Sequence, residues 1–104
     1  MQDKYDDHRQ VLDKSIRIVE RGWCRHKLFR RHHGKTHCCL LGALNEAMRD
    51  FPLKRGIQIR DALVPAIERK TYSRLDKWND NQRTKAPVIK LLKEVKEEFE
   101  VQAK

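Results

Sequence analysis

The chain has 104 residues, which suits one domain with a core of limited size. Hydrophobic residues make up 38% and charged residues another 38%, so the apolar side chains must lie on narrow buried stripes. The formal charge is +9, and the longest run free of Asp, Glu, Lys and Arg spans the ten residues Thr36–Asn45, which excludes a membrane-crossing helix of about 20 apolar residues.

The N-terminus reads Met-Gln-Asp-Lys-Tyr-Asp-Asp and lacks an apolar signal-peptide core, so a cytoplasmic location is expected. Three cysteines in such a chain read as free thiols rather than a disulfide framework.

In chain order, Val11, Leu12, Ile16 and Val19 recur at helical spacing and predict an amphipathic helix over 6–21. Asp6 or Asp7 is its expected cap, and Gly22 its left-handed C-terminal residue. Trp23 follows as an anchor onto the core. Residues 24–37 show no period. A short β-hairpin around 24–39, turning at Gly34, with Leu28 and Phe29 on one arm and Thr36 to Cys38 on the other, fits this stretch. A mobile basic loop fits it equally.

Residues 38–49 predict a second helix. Its stripe of Cys39, Gly42, Ala43 and Ala47 lets another element approach closely, and Leu40, Leu44 and Met48 supply bulk beside it. Pro52 ends that segment. Ile59, Leu63, Ala66 and Ile67 predict a third helix over 58–70, with Asp61 as a cap that leaves Pro65 in the first turn. A short helical piece over 71–78 has Tyr72, Leu75 and Trp78 on one side. A turn follows over 79–82. Thr84 is the expected cap of a last helix whose stripe is Val88, Leu91, Leu92, Val95 and Phe99. Lys93–Glu97 and Lys96–Glu100 are its expected surface pairs. The sum is a mainly α, single small domain over 1–104, with four to five short helices and a basic, His-rich loop at 24–37.

One pattern runs through these elements: Gly22-Trp23, Cys39-Leu40-Leu41-Gly42-Ala43-Leu44, Trp78-Asn79-Asp80, Arg83-Thr84, Val88 and Leu91-Leu92. It resembles an uncharacterised family of small bacterial proteins, many of them actinobacterial, and phage proteins, which share Gly-Trp, Cys-x-x-Gly-Ala and Trp-Asn-Asp motifs. The resemblance covers about residues 10–95. It implies a helical fold and a phage or mobile-element origin, and it carries no activity. The stretch around residues 25–37 departs from the family pattern, so the resemblance implies nothing about its role.

Charge is unevenly spread. Residues 1–55 carry 13 basic and 7 acidic side chains, against 11 and 8 in residues 56–104. Arg25, Lys27, Arg30, Arg31 and Lys35 fall between Cys24 and His37 with no acid among them, and His32 and His33 lie in the same stretch. Such a cluster attracts polyanions. Trp23 and Phe29 are candidates to stack on bases, and Arg17 and Arg21 are candidates to extend the patch. Arg60, Arg69, Lys70 and Arg74 extend it only if the packing brings them near. These residues favour contact with nucleic acid or a nucleoprotein. The alternative is an acidic protein surface, as an inhibitor or host-interaction, anti-defence factor.

Two other chemistries compete for the same stretch. Cys24, His26, His32, His33, His37, Cys38 and Cys39 are potential zinc ligands, but their spacing is irregular and no Cys-x-x-Cys pair occurs. Cys38, placed at the start of the second helix beside His37, has the makings of a nucleophile and base, with Asn79 or Asp80 orienting the histidine. The bland reading of both is a set of buried thiols beside solvated histidines, and it is preferred. No metal, no other cofactor and no catalytic residue is therefore assigned. The Trp78-Asn79-Asp80 segment reads as structural, its side chains bonding turn amides.

Overall fold

A computed structural model describes residues 4–32 and 34–102, with the backbone alone at residues 32, 101 and 102. The described elements run α1 (Asp6–Arg21), β1 (Phe29–His32), β2 (Lys35–Cys38), α2 (Leu40–Met48), α3 (Leu53–Thr71), α4 (Leu75–Asp80) and α5 (Ala86–Gln102). The chain is thus mainly helical, and the hairpin of the two sequence alternatives is the one that forms. No helix among the described residues is long and apolar enough to cross a membrane.

Helix α1 is the centre of the packing, with α5 along one side and α2 along the other. Its stripe Val11, Leu12, Ile16 and Val19 is buried against Leu40, Ala43, Leu44 and Ala47 of α2 and Val88, Leu92, Val95 and Phe99 of α5. Helix α3 closes the core with Ile59, Leu63, Ala66 and Ile67. Long cations tie the outer edges. Lys96 of α5 reaches Asp13 of α1 at 2.9 Å and its own-helix partner Glu100 at 3.8 Å, and Arg55 of α3 reaches Asp7 at 2.9 Å.

Several local expectations are corrected. Helix α1 is preceded by Tyr5 without a side-chain cap, and Asp6 and Asp7 sit within its first turn, where they favour the positive end of the helix dipole. Gly22 is extended, not left-handed. Its small size matters for another reason: a Cβ there would lie 2.9 Å from Nδ1 of His37, whose ring packs over it. Helix α2 starts at Leu40, because Cys38 still belongs to β2 and Cys39 is the cap, its Sγ accepting from the Gly42 N–H at 3.4 Å.

Helix α3 begins at Leu53, directly after Pro52, so Pro65 lies deep within it rather than in its first turn. An interior proline loses one backbone hydrogen bond. The buried side chains on either side, Leu63, Ala66 and Ile67, hold the helix through that gap. Tyr72 ends α3 in the left-handed region and is 94% exposed, so it does not share a face with buried Leu75 and half-buried Trp78. The 79–82 turn is also displaced, since Asn79 and Asp80 close α4. Helix α5 starts at Ala86, so Lys85 rather than Thr84 precedes it, and Lys85 Nζ donates to the Glu20 carbonyl at 2.6 Å.

The small stripe of α2 has a specific occupant. A Cβ at Gly42 would collide with the carbonyl oxygen of Leu28, just before β1. Alanine outranks glycine in helix propensity by about 1 kcal/mol. Gly42→Ala is nonetheless expected to lower the melting temperature and disturb the hairpin, because the colliding atom is backbone. A raised melting temperature in a thermal scan followed by circular dichroism would show that the loop yields freely.

His8 is buried beside Phe99, with ring centroids 5.3 Å apart in a stacked arrangement, and Tyr5 meets it edge-on at 5.2 Å. Its Nδ1 has no hydrogen-bond partner among the described residues. Burial, then the Arg55 guanidinium, hold its pKa below the usual histidine value. The unfolded chain therefore takes up this proton first, and stability contributed by neutral His8 is lost as the pH falls from about 6.5 toward the depressed folded value. His8→Phe is expected to flatten that part of the stability–pH curve measured by urea unfolding. Parallel curves for the two proteins would contradict it.

Candidate functional site

The hairpin pairs Phe29 with Cys38, Arg30 with His37, Arg31 with Thr36 and His32 with Lys35, and turns through Gly34, whose φ of +74° favours glycine. Directly opposed residues share a face. Phe29, Arg31, Thr36 and Cys38 therefore lie on one side, and Arg30 and His37 on the other. Cys38 Sγ is buried against the core, which sets the first face toward the helices.

The base of the hairpin is pinned at many points. The Cys24 N–H donates to the Cys38 carbonyl at 3.2 Å, the Cys38 N–H to Gly22 at 3.0 Å, and the Cys39 N–H to Leu28 at 3.1 Å. Asn79 of α4 is fully buried behind this junction. Its Oδ1 accepts from Trp23 Nε1 at 2.7 Å and from the Leu40 N–H at 3.0 Å. Its Nδ2 donates to the Cys24 carbonyl at 3.2 Å and to Asp80 Oδ1 at 3.4 Å. Both acceptor positions and both donors of the amide are thus in use. The Leu40 N–H is one of the donors that the start of α2 cannot satisfy itself.

Asp80 continues the pinning outward. Its Oδ1 accepts from the His26 N–H at 2.7 Å, and its Oδ2 lies 3.5 Å from His26 Nδ1. His26 is held there with φ of +68°, a strained value for a residue with a Cβ. Arg25 donates to the Gln82 carbonyl at 2.9 Å. The Asn79 and Asp80 side chains bond a distant loop rather than the amides of their own turn.

The candidate contact residues divide accordingly. Lys27, Arg30, Arg31 and Lys35 are exposed on the hairpin and its approach, with no carboxylate in ion-pair distance among the described residues. Arg25 is exposed but tethered at the base. His32 is a strand residue opposite Lys35, and its side chain is outside the described atoms. His33 is outside the described residues. Leu28 and Phe29 remain 45% exposed beside these cations.

Residues of α1 and of the end of α2 join this surface. Ile18 and Arg21 of α1 and Arg49, just after α2, line a groove of about 470 Å³ with Phe29, Thr36, Cys38 and Glu46. Arg49 donates to Glu46 at 3.1 Å. Arg21 stood next to the patch in sequence, whereas nothing in the spacing of Ile18 or Arg49 points to the hairpin. Arg60 belongs to a different groove, and Arg74 pairs with Asp76 at 3.0 Å.

The thiols have little of the character a nucleophile needs. Cys38 is in a strand rather than at a helix start, and burial first, then Cys24 and Cys39, push it up to about 11. Burial also raises Cys24 and Cys39, the latter partly offset by the Gly42 and Leu41 N–H groups. All three are protonated at neutral pH. Cys24 Sγ donates toward the Lys27 and His37 carbonyls at 3.4 and 3.6 Å. Among the described residues, no three His, Cys, Asp or Glu side chains are grouped to hold a metal.

Residues 4–98 match the model of DUF6197, a family of unknown function, and the chain belongs to that family. No curated protein and no solved structure matches it.

Replacing Asn79 by Ala strands the Trp23 indole N–H, the Leu40 N–H and the Cys24 carbonyl in a buried junction. Each such orphan costs about 1–3 kcal/mol. A drop of about 3 kcal/mol or more is expected in urea unfolding, with no rescue by Asn79→Asp, which retains the acceptors but buries a charge beside Asp80. An unchanged unfolding midpoint would mean that the junction does not depend on the amide.

Proposed function

Within this family of unknown function, we propose that the chain is a small binding module that contacts nucleic acid, or a nucleoprotein, through the cations of its hairpin. The observation that carries the reading is the set Lys27, Arg30, Arg31 and Lys35, with Arg31 on one face of the hairpin and Arg30 and Lys35 on the other. This set is exposed on a hairpin fixed at its base, and no carboxylate of the described residues compensates it. Lys14, Arg55 and Lys96, by contrast, pair with Asp50, Asp7 and Asp13. Uncompensated cations on an ordered ribbon suit phosphates, which need positive charge at fixed spacing. A cytoplasmic setting and a phage or mobile-element origin belong to the same proposal, and the sequence resemblance supports the origin.

A second reading, a protein-binding inhibitor or host-interaction factor, is favoured by a different observation. Leu53 and Ile57, 82% and 51% exposed, lie with Met48, Phe51 and Gly56 in an apolar groove between α2 and α3, edged by Arg49 and Arg60. Exposed apolar side chains next to arginine are typical of protein interfaces.

The test replaces Lys27, Arg30, Arg31 and Lys35 with Ser and leaves tethered Arg25 in place. Folding should survive, because exposed substitutions shift stability by less than about 0.5 kcal/mol each. Affinity for nucleic acid should fall similarly for all sequences. The slope of log affinity against log salt should flatten by about 0.7–0.9 for each phosphate that is no longer neutralised. Fluorescence anisotropy at several salt concentrations measures both. Wild-type protein that binds neither duplex nor single strands in low salt ends this reading, and a nuclease-resistant complex with a host protein supports the second.

A further inference from the structure

We infer that the hairpin surface is a single-strand site, in which one unpaired base enters the groove between α1, β1–β2 and α2 and stacks on Phe29. The inference rests on the nucleic-acid reading above and adds the strand type and the residue that reads it.

The groove has the size of small-molecule sites, which span about 300–1,000 Å³, and at about 470 Å³ it accommodates a nucleobase. Its composition matches a nucleotide. Phe29 and Ile18 give an apolar wall, and Phe29 keeps 45% of its surface open although its strand partner Cys38 is buried. An aromatic ring left open in this way is the platform on which bases stack, whatever their identity. Thr36 offers a hydroxyl, and the Glu46 carboxylate can accept from an exocyclic amino group.

Cations surround the opening where phosphates must run. Arg21 lines the groove from α1, and Arg31 shares the Phe29 face two residues along β1. Arg49 lines it from the end of α2, with Glu46 as its partner at 3.1 Å. Phe29 is recessed between the hairpin and the helices rather than carried on the tip. A base inside a duplex is covered by its stacked neighbours and cannot reach such a wall without being flipped out. An unpaired base reaches it directly.

The probes are fluorescein-labelled 12-nucleotide oligothymidylate and a mixed-sequence 12-base-pair duplex, titrated with the full chain in low salt. The single strand should bind more tightly than the duplex. Phe29→Ala should weaken single-strand binding by about 5- to 150-fold, the range that follows when one base no longer stacks, and change duplex binding little. Phe29→Trp should retain single-strand binding, and its added indole fluorescence should be quenched on saturation. This variant guards against misreading an unfolded Phe29→Ala protein. Tighter duplex binding overturns the inference, because a two-stranded ribbon bearing Arg30 and Arg31 then enters a major groove instead. Equal binding of both probes with no Phe29→Trp quenching also overturns it and leaves the basic-surface reading intact. Failure of both probes to bind removes both.

Discussion

The side-chain amide of Asn79 is the contact on which the arrangement of this protein turns. It is fully buried, and its four hydrogen-bonding positions reach Trp23, Cys24, Leu40 and Asp80. Those partners lie on the segment leaving α1, at the start of α2 and on α4 itself. Backbone hydrogen bonds join Gly22 and Cys24 to Cys38 just ahead of α2, and the Asn79 amide adds α4 to that junction. A buried polar group holds its place only when its bonds are complete, since each missing one carries the full cost of desolvation. The amide therefore fixes one relative position of three segments, and the hairpin grows from that fixed point.

Close approach does the rest of the positioning. The Leu28 carbonyl lies where a side chain on Gly42 would be, and the His37 ring lies where one on Gly22 would be. These two contacts bring the hairpin down onto α1 and α2 and bury Cys24, Cys38 and Cys39 in the seam. Thiols in such a seam behave as small hydrophobes with weak donors. Their raised pKa values follow from the same burial that makes them useful for packing.

Two groups of basic residues differ in what they meet. Lys14, Arg55, Lys85 and Lys96 cross between elements and bind acids or a carbonyl there. Such exposed pairs contribute little each, roughly 0–1 kcal/mol. Lys27, Arg30, Arg31 and Lys35 have no such internal partner among the described residues, and their mutual repulsion is relieved only by an external anion or by solvent. A hairpin of four-residue strands is too short to be stable alone. Its order depends on the junction below it, so fold and candidate function meet at Asn79.

The helices that bury a regular stripe were legible in the sequence. Val11, Leu12, Ile16 and Val19, and Val88, Leu91, Leu92, Val95 and Phe99, announce themselves by spacing, because a helix turns the same face inward every three to four residues. The concentration of cations between Cys24 and His37 was equally plain. What spacing could not supply were contacts between residues far apart in the chain. The start of α3 at Leu53, ahead of the Ile59 stripe, follows from Pro52 and the approach of Phe51 and Met48 to the core. The reach of Asn79 to Trp23, 56 residues away, and the meeting of Phe29 with Ile18, Arg21 and Arg49 exist only in the folded chain. Local pattern reports which face of an element is buried. Which surfaces then meet is decided by the packing of all the elements at once, and that is what made a groove beside the basic hairpin.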